Sequence, residues 1–86
     1  MPRIAEFYGI VIYMYYREHG MPHFHALYSG REAVIGIDTL RTIEGRLPPR
    51  ALALVRAWGK LHREELNRNW ALARAGRPLR RIAALE

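Results

Sequence analysis

Three of the four histidines in this 86-residue chain fall within Glu18-His19-Gly20-Met21-Pro22-His23-Phe24-His25. His23 and His25 form an H-x-H pair, and on an extended strand alternate residues share a face. Two imidazoles then stand on one side, about 7 Å apart along the chain. Such a pair supports three readings. One is metal binding at His23 and His25, with Zn2+ favoured by an imidazole and carboxylate donor set, and with His19, His62 or Glu65 able to join. Another is proton transfer. A metal-independent ribonuclease needs a base for the 2′-hydroxyl, an acid for the leaving oxygen and cations for the developing phosphate charge. His23 and His25 can be that acid and base, with His19 and Glu65 supporting them. Arg17, Arg31 or Arg41 can stabilise charge, and Tyr15, Tyr16, Phe24 or Tyr28 can stack an unpaired base. The third reading is structural: His19 and His23 bridge a tight loop, while His62, Glu65 and Asn69 form a buried polar network.

The elements that would position these groups follow from periodicity and turn chemistry. Ile4 to Tyr8 and Ile10 to Tyr16, rich in β-branched and aromatic residues, are expected as strands, with Gly9 either a tight turn or a bulge between them. Pro22 lacks a backbone donor and biases Met21 to an extended conformation, so residues 17–22 form a connection. His23 to Tyr28 is the third strand, with His23, His25 and Leu27 on one face and Phe24, Ala26 and Tyr28 on the other. Ser29-Gly30-Arg31 turns the chain into a fourth strand from Glu32 to Asp38, whose apolar face is Ala33, Ile35 and Ile37.

Residues 39–47 read as irregular. Pro48-Pro49 then opens one long helix, expected to span 48–75, ending where Gly76 caps it and Pro78 blocks its continuation. Its length of about 39 Å exceeds what a sheet of short strands covers, so an overhang that could join a second copy in a homodimer is expected. Ala51, Leu54, Val55, Trp58, Leu61 and His62 form its apolar face, and Trp70 lies toward the edge as a candidate partner contact. Arg56, Lys60, Arg63 and Arg74 form a basic stripe available to phosphates. The tail, 79–85, can return as a short fifth strand. The expected fold class is α+β: a four-stranded antiparallel meander over residues 1–38, packed against one long C-terminal helix in a single domain.

Composition narrows the functional classes. There is no cysteine, so a disulfide framework and a thiolate zinc site are both excluded. The uncharged run from Phe7 to Tyr16 is too short to cross a bilayer and lacks a small-residue cleavage site, so a cytoplasmic protein without a membrane partner is expected. The net charge is +6, and it is unevenly placed. Arg3, Arg17, Arg31 and Arg41 balance Glu6, Glu18, Glu32 and Asp38, whereas residues 44–86 hold ten basic residues against four acidic ones. A one-sided basic surface suits nucleic acid or an acidic partner protein. Ser29 is the only serine and Asp38 the only aspartate, and no phosphate-cradling glycine loop is present, which removes the usual nucleophilic triads and nucleotide sites.

The Glu18-His19-Gly20-Met21-Pro22-His23-Phe24-His25-Ala26 stretch, the helical His62-Arg63-Glu64-Glu65-Leu66-Asn67-Arg68-Asn69-Trp70 and the Gly76-Arg77-Pro78 turn together resemble the small bacterial domain-of-unknown-function family 4160. His19, Pro22, His23 and His25 match the family loop, and His62 and Trp70 its helix. The resemblance implies a stand-alone bacterial protein of a toxin-antitoxin-like arrangement, without an agreed activity. Combined with the residues, it leads to the expectation of a toxin-like component that binds or cleaves RNA through a His23/His25 acid/base pair, without a cofactor. The alternative is a non-catalytic module whose basic helix binds an acidic protein or nucleic acid and whose histidines are structural.

Overall fold

Two hairpins set the architecture. In the computed structural model, which describes residues 2–86, Tyr8-Gly9 and Ser29-Gly30 each supply two consecutive positive φ values (49° and 78°, 51° and 78°). That is the geometry of a two-residue turn whose twist matches its flanking strands, so Gly9 belongs to a turn and not to a bulge. Five strands result, β1 (Arg3–Phe7), β2 (Ile10–Tyr13), β3 (His23–Tyr28), β4 (Arg31–Gly36) and β5 (Thr42–Gly45), paired in chain order as one antiparallel sheet.

The α+β class therefore stands, with three corrections of detail. The fifth strand comes from the 39–47 stretch expected to be irregular, so the meander runs past residue 38 to Gly45. Gly45, at φ 75°, admits it: a Cβ there would collide with the Glu32 carbonyl oxygen. The 79–85 tail is not a strand. It lies beside β1 through one backbone bond, Ile82 N–H to the Ile4 carbonyl at 2.7 Å, with Ile82 buried as its anchor.

The third correction concerns the helix. Instead of one element over 48–75 there are two, α1 (Pro49–Leu61) and α2 (Arg63–Arg74), broken at His62, whose φ of −119° and ψ of 26° leave the helical region. Lys60 in the last turn of α1 and Glu64 and Glu65 in the first turn of α2 each match the charge of the helix end beside them. The break removes the overhang on which the expectation of a homodimer rested. It also strands Leu61 in solvent at 71% exposure, off the apolar face expected to contain it. At the far end Gly76 does cap as expected. Arg77 N–H reaches the Leu72 carbonyl and Gly76 N–H the Ala73 carbonyl, the paired bonds that close a helix through a left-handed residue.

The core lies between one sheet face and α1. Ile10, Ile12, Phe24, Ala26, Ala33 and Ile35 point to this side and are buried, with Trp58 inserted against Phe7 and Phe24 at ring separations of 5.4 and 5.8 Å. The Trp58 indole N–H donates to the Ala83 carbonyl at 2.8 Å, which satisfies the one polar atom of a fully buried side chain and holds the tail down. Phe24 is thus core and unavailable for stacking a base. The opposite sheet face carries His23 and His25. No helix among the described residues is long and apolar enough to cross a membrane.

Candidate functional site

The register of β3 explains why two histidines can be buried without being in the core. His25 pairs with Tyr13 on β2 and Val34 on β4, so its ring shares a face with theirs and lies parallel to the Tyr13 ring at 5.0 Å. The Tyr15 ring meets it edge-on at 4.9 Å and also meets Tyr13 edge-on at 5.5 Å, so the three rings form a cluster. His23, at the start of β3, lies against Trp70 at 4.9 Å. Trp70 is only 7% exposed, so this side chain packs over the end of β3 and is not the partner contact expected of it.

The segment joining β2 to β3 brings a third group to the pair. Arg17 adopts a positive φ of 58°, rare for a residue with a side chain, and its backbone N–H is held by the Ala73 carbonyl of α2 at 3.1 Å. Glu18 follows, and its Oε1 lies 2.9 Å from His25 Nε2 and 3.1 Å from His23 Nε2. Each ring is anchored through its other nitrogen. His23 Nδ1–H donates to the Met21 carbonyl at 2.8 Å and His25 Nδ1–H to Glu32 Oε2 at 3.2 Å. A carbonyl only accepts, so His23 Nδ1 carries a proton, while His25 lies between two carboxylates, Glu32 at Nδ1 and Glu18 at Nε2; both Nε2 atoms are turned to Glu18.

Electrostatics follow from this arrangement. Burial pushes the Glu18 carboxyl up, but the hydrogen bond from His25 and the charge of His23 and His25 outweigh it and hold Glu18 below the ordinary carboxylate range. Burial also pushes the Tyr13 phenol well above its usual value, reinforced by its bond to Glu32, so Tyr13 stays protonated and donates to that carboxylate. Tyr13, Glu32, His25 and Glu18 form one continuous polar chain.

A cleft of about 330 Å³ opens over these groups, lined by Glu18, His19, His23, His25, Val34 and Glu44 among others. Exposed Met21 and Ile43 form part of its wall. A second cleft is lined by Arg56, Lys60 and Arg63 together with Thr39 and Leu40 of the connection between β4 and β5, residues 37–41. The two are mechanically joined. Arg63 Nε donates to the Ile37 carbonyl at 3.1 Å, and Ile37 N–H to the Pro22 carbonyl at 3.0 Å, one residue before His23.

Of the residues singled out from sequence, the structure thus brings His23 and His25 together with His19 on the cleft wall, and groups Arg56, Lys60 and Arg63. Arg74 sits exposed in the last turn of α2, about 16 Å along that helix from Arg63. Glu65 is placed elsewhere: it accepts from His62 Nδ1–H at 2.6 Å and is not among the groups that meet at His23 and His25. Asn69 is buried and stitched to the tail, its side chain donating to the Arg80 carbonyl and accepting from the Arg80 N–H at 2.8 and 2.9 Å. The polar interruptions of the helix face are therefore satisfied pairs. Glu18 and Glu32 are the members of the site that strand and loop patterns did not single out. Glu18 could have been found from its place in the histidine stretch. Glu32 could not, because its reach to His25 depends on register.

Neither a curated protein nor a solved structure matches this chain. A family model does match, over residues 9–71, and that segment runs from the first hairpin through Trp70, so it contains Glu18, His23, His25, Glu32 and the basic cleft. The chain belongs to the family described as domain of unknown function (DUF4160).

Proposed function

We propose that the protein acts on RNA as the toxin-like component of a bacterial toxin-antitoxin-type module, with Glu18, His23 and His25 as the centre that meets the phosphodiester. The observation that carries this reading is that one stretch, 37–44, lines two clefts: Thr39 and Leu40 line the one that holds Arg56, Lys60 and Arg63, and Ile43 and Glu44 the one that holds His23, His25 and Glu18. A strand laid across the connection would present successive phosphates to the basic cleft and one to the imidazoles. Tyr15, 40% exposed beside His25, offers a face for an unpaired base. The two Nε2 atoms converge on one oxygen instead of flanking a substrate-sized gap, so the three groups work as a unit.

One observation favours a second reading, in which the protein binds an acidic protein or nucleic acid and the histidines are structural. All four ring nitrogens of His23 and His25 have partners within 3.2 Å. Induced expression with and without a double His23→Ala, His25→Ala substitution separates the two. The catalytic reading expects growth inhibition and RNA cleavage that disappear in the variant while its circular dichroism is retained. Cleavage that persists in a folded variant removes His23 and His25 from catalysis, and growth inhibition that persists with no RNA cleavage by either protein leaves the binding module.

A further inference from the structure

We propose that Glu18 Oε1, His23 Nε2 and His25 Nε2 bind one divalent first-row transition ion, Zn2+ foremost, with a coordination position left open to the cleft. The inference rests on the reading above in taking these three residues as the working centre, and it adds the cofactor of that centre.

His23 Nδ1 is committed to the Met21 carbonyl and His25 Nδ1 to Glu32, so the Nε2 atoms are the ones that face Glu18 Oε1, at 3.1 and 2.9 Å. Three atoms able to ligate a metal thus converge in a largely buried site, with the two imidazole ring centres 5.5 Å apart.

Distances fit a cation. One donor atom from each residue lies within 4.8 Å of the others, and the two contacts to Glu18 are 2.9 and 3.1 Å. Zinc bonds of about 2.0–2.2 Å give a tetrahedral edge of roughly 3.3–3.6 Å, so the ion requires a few tenths of an ångström of outward movement by Glu18 and adjustment of the two imidazoles within the 4.8 Å that bounds the set. The outer partners are already those of a metal site. Histidine ligands characteristically donate their second N–H to a carboxylate or a backbone carbonyl, as His25 does to Glu32 and His23 to Met21. Tyr13 in turn donates to Glu32 and steadies it. Two histidines and one glutamate make a three-ligand set of the kind that keeps a fourth position for water or substrate. Such an ion supplies Lewis acidity toward a phosphate oxygen and an acidified bound water.

The other clusters carry less. His62 and Glu65 form a closed pair, and nothing specifies an occupant for the groove of about 430 Å³ lined by Tyr8, Tyr28, Leu54 and Leu85 with Arg50 and Glu86.

The test uses the untagged full chain, stripped with chelator and retitrated with Zn2+ by calorimetry and with Co2+ by visible absorption. The expected result is one ion per chain and the intense absorption of a four-coordinate Co2+ site. Glu18→Gln, in a surface loop, and His25→Ala should each lose more than about 100-fold in affinity, beyond what disturbing an outer partner costs. Glu65→Gln should bind as the natural chain does, and circular dichroism confirms that each variant is folded. Absence of saturable binding overturns the site, as does undiminished binding in a folded Glu18→Gln or His25→Ala protein, which would mark capture by His19 or His62. RNA cleavage that persists in the metal-stripped protein with chelator also overturns it and leaves the RNA reading in place. Stoichiometric binding without any action on RNA supports the metal centre and removes the RNA reading.

Discussion

Glu18 Oε1 lies 2.9 Å from His25 Nε2 although the two residues belong to different elements, one to the loop before β3 and one to its interior. The loop is turned back over the strand at Arg17, whose backbone N–H is held by α2. The helix layer thus takes part in shaping a site on the opposite face of the sheet.

If the site takes a metal, stability becomes ligand-linked. At a Zn2+ concentration 100 times the dissociation constant the folded state should gain about 2.7 kcal/mol. For a domain of this size that corresponds to an upward shift of roughly 10–20 °C in melting temperature. Differential scanning calorimetry of the stripped and reloaded chain measures it, and Glu18→Gln should abolish most of the shift. A melting temperature indifferent to Zn2+ would contradict the linkage.

The two glutamates associated with histidines should behave differently on substitution. Glu65→Gln loosens only the His62 contact at the α1/α2 junction, so a loss of about 0.5–1 kcal/mol in urea denaturation is expected, and the RNA cleavage and toxicity proposed above should be preserved. Glu18→Gln should abolish both activities. A Glu65→Gln variant that is stable but inactive would return Glu65 to the site.

Asn69 is fully buried and makes two bonds to the Arg80 backbone. Asn69→Ala should destabilise the chain by about 2–4 kcal/mol, since two bonds are lost and the tail's polar groups lose their partner. Hydrogen exchange should locate the loss at residues 79–85 before the sheet. Uniform loss of protection through the sheet would show that the tail is not a separable clasp.

The basic cleft should be read through salt. Replacing Arg56 and Lys60 with alanine should weaken RNA binding and reduce the slope of log affinity against log salt by about 1.4, as expected for two phosphate contacts on a single strand. Arg63→Ala should cost more, because its guanidinium also holds the Ile37 carbonyl. An unchanged slope would place the phosphates elsewhere.

Much of the fold is legible in residue order because its causes are local. Tyr8-Gly9 and Ser29-Gly30 specify turns, alternation assigns Phe24 and Ala26 to one face and His23 and His25 to the other, and Gly76 ends a helix wherever it follows one. The break at His62 was less legible. Its signal, Lys60 followed by Glu64 and Glu65, is an electrostatic preference of a few tenths of a kcal/mol to about 1 kcal/mol, easily hidden beneath a continuous helical period.

The chemistry divides in the same way. The H-x-H pair is a property of one strand, and sequence alone placed both imidazoles on one side. Three things needed the assembled sheet and helices: that their Nε2 atoms meet on Glu18, that Glu32 two strand-positions along β4 fixes the His25 ring, and that Glu65 pairs with His62 instead of joining them. Those contacts depend on loop conformation, inter-strand register and helix direction. Each is set by the packing of distant segments, so no local pattern of residues encodes it.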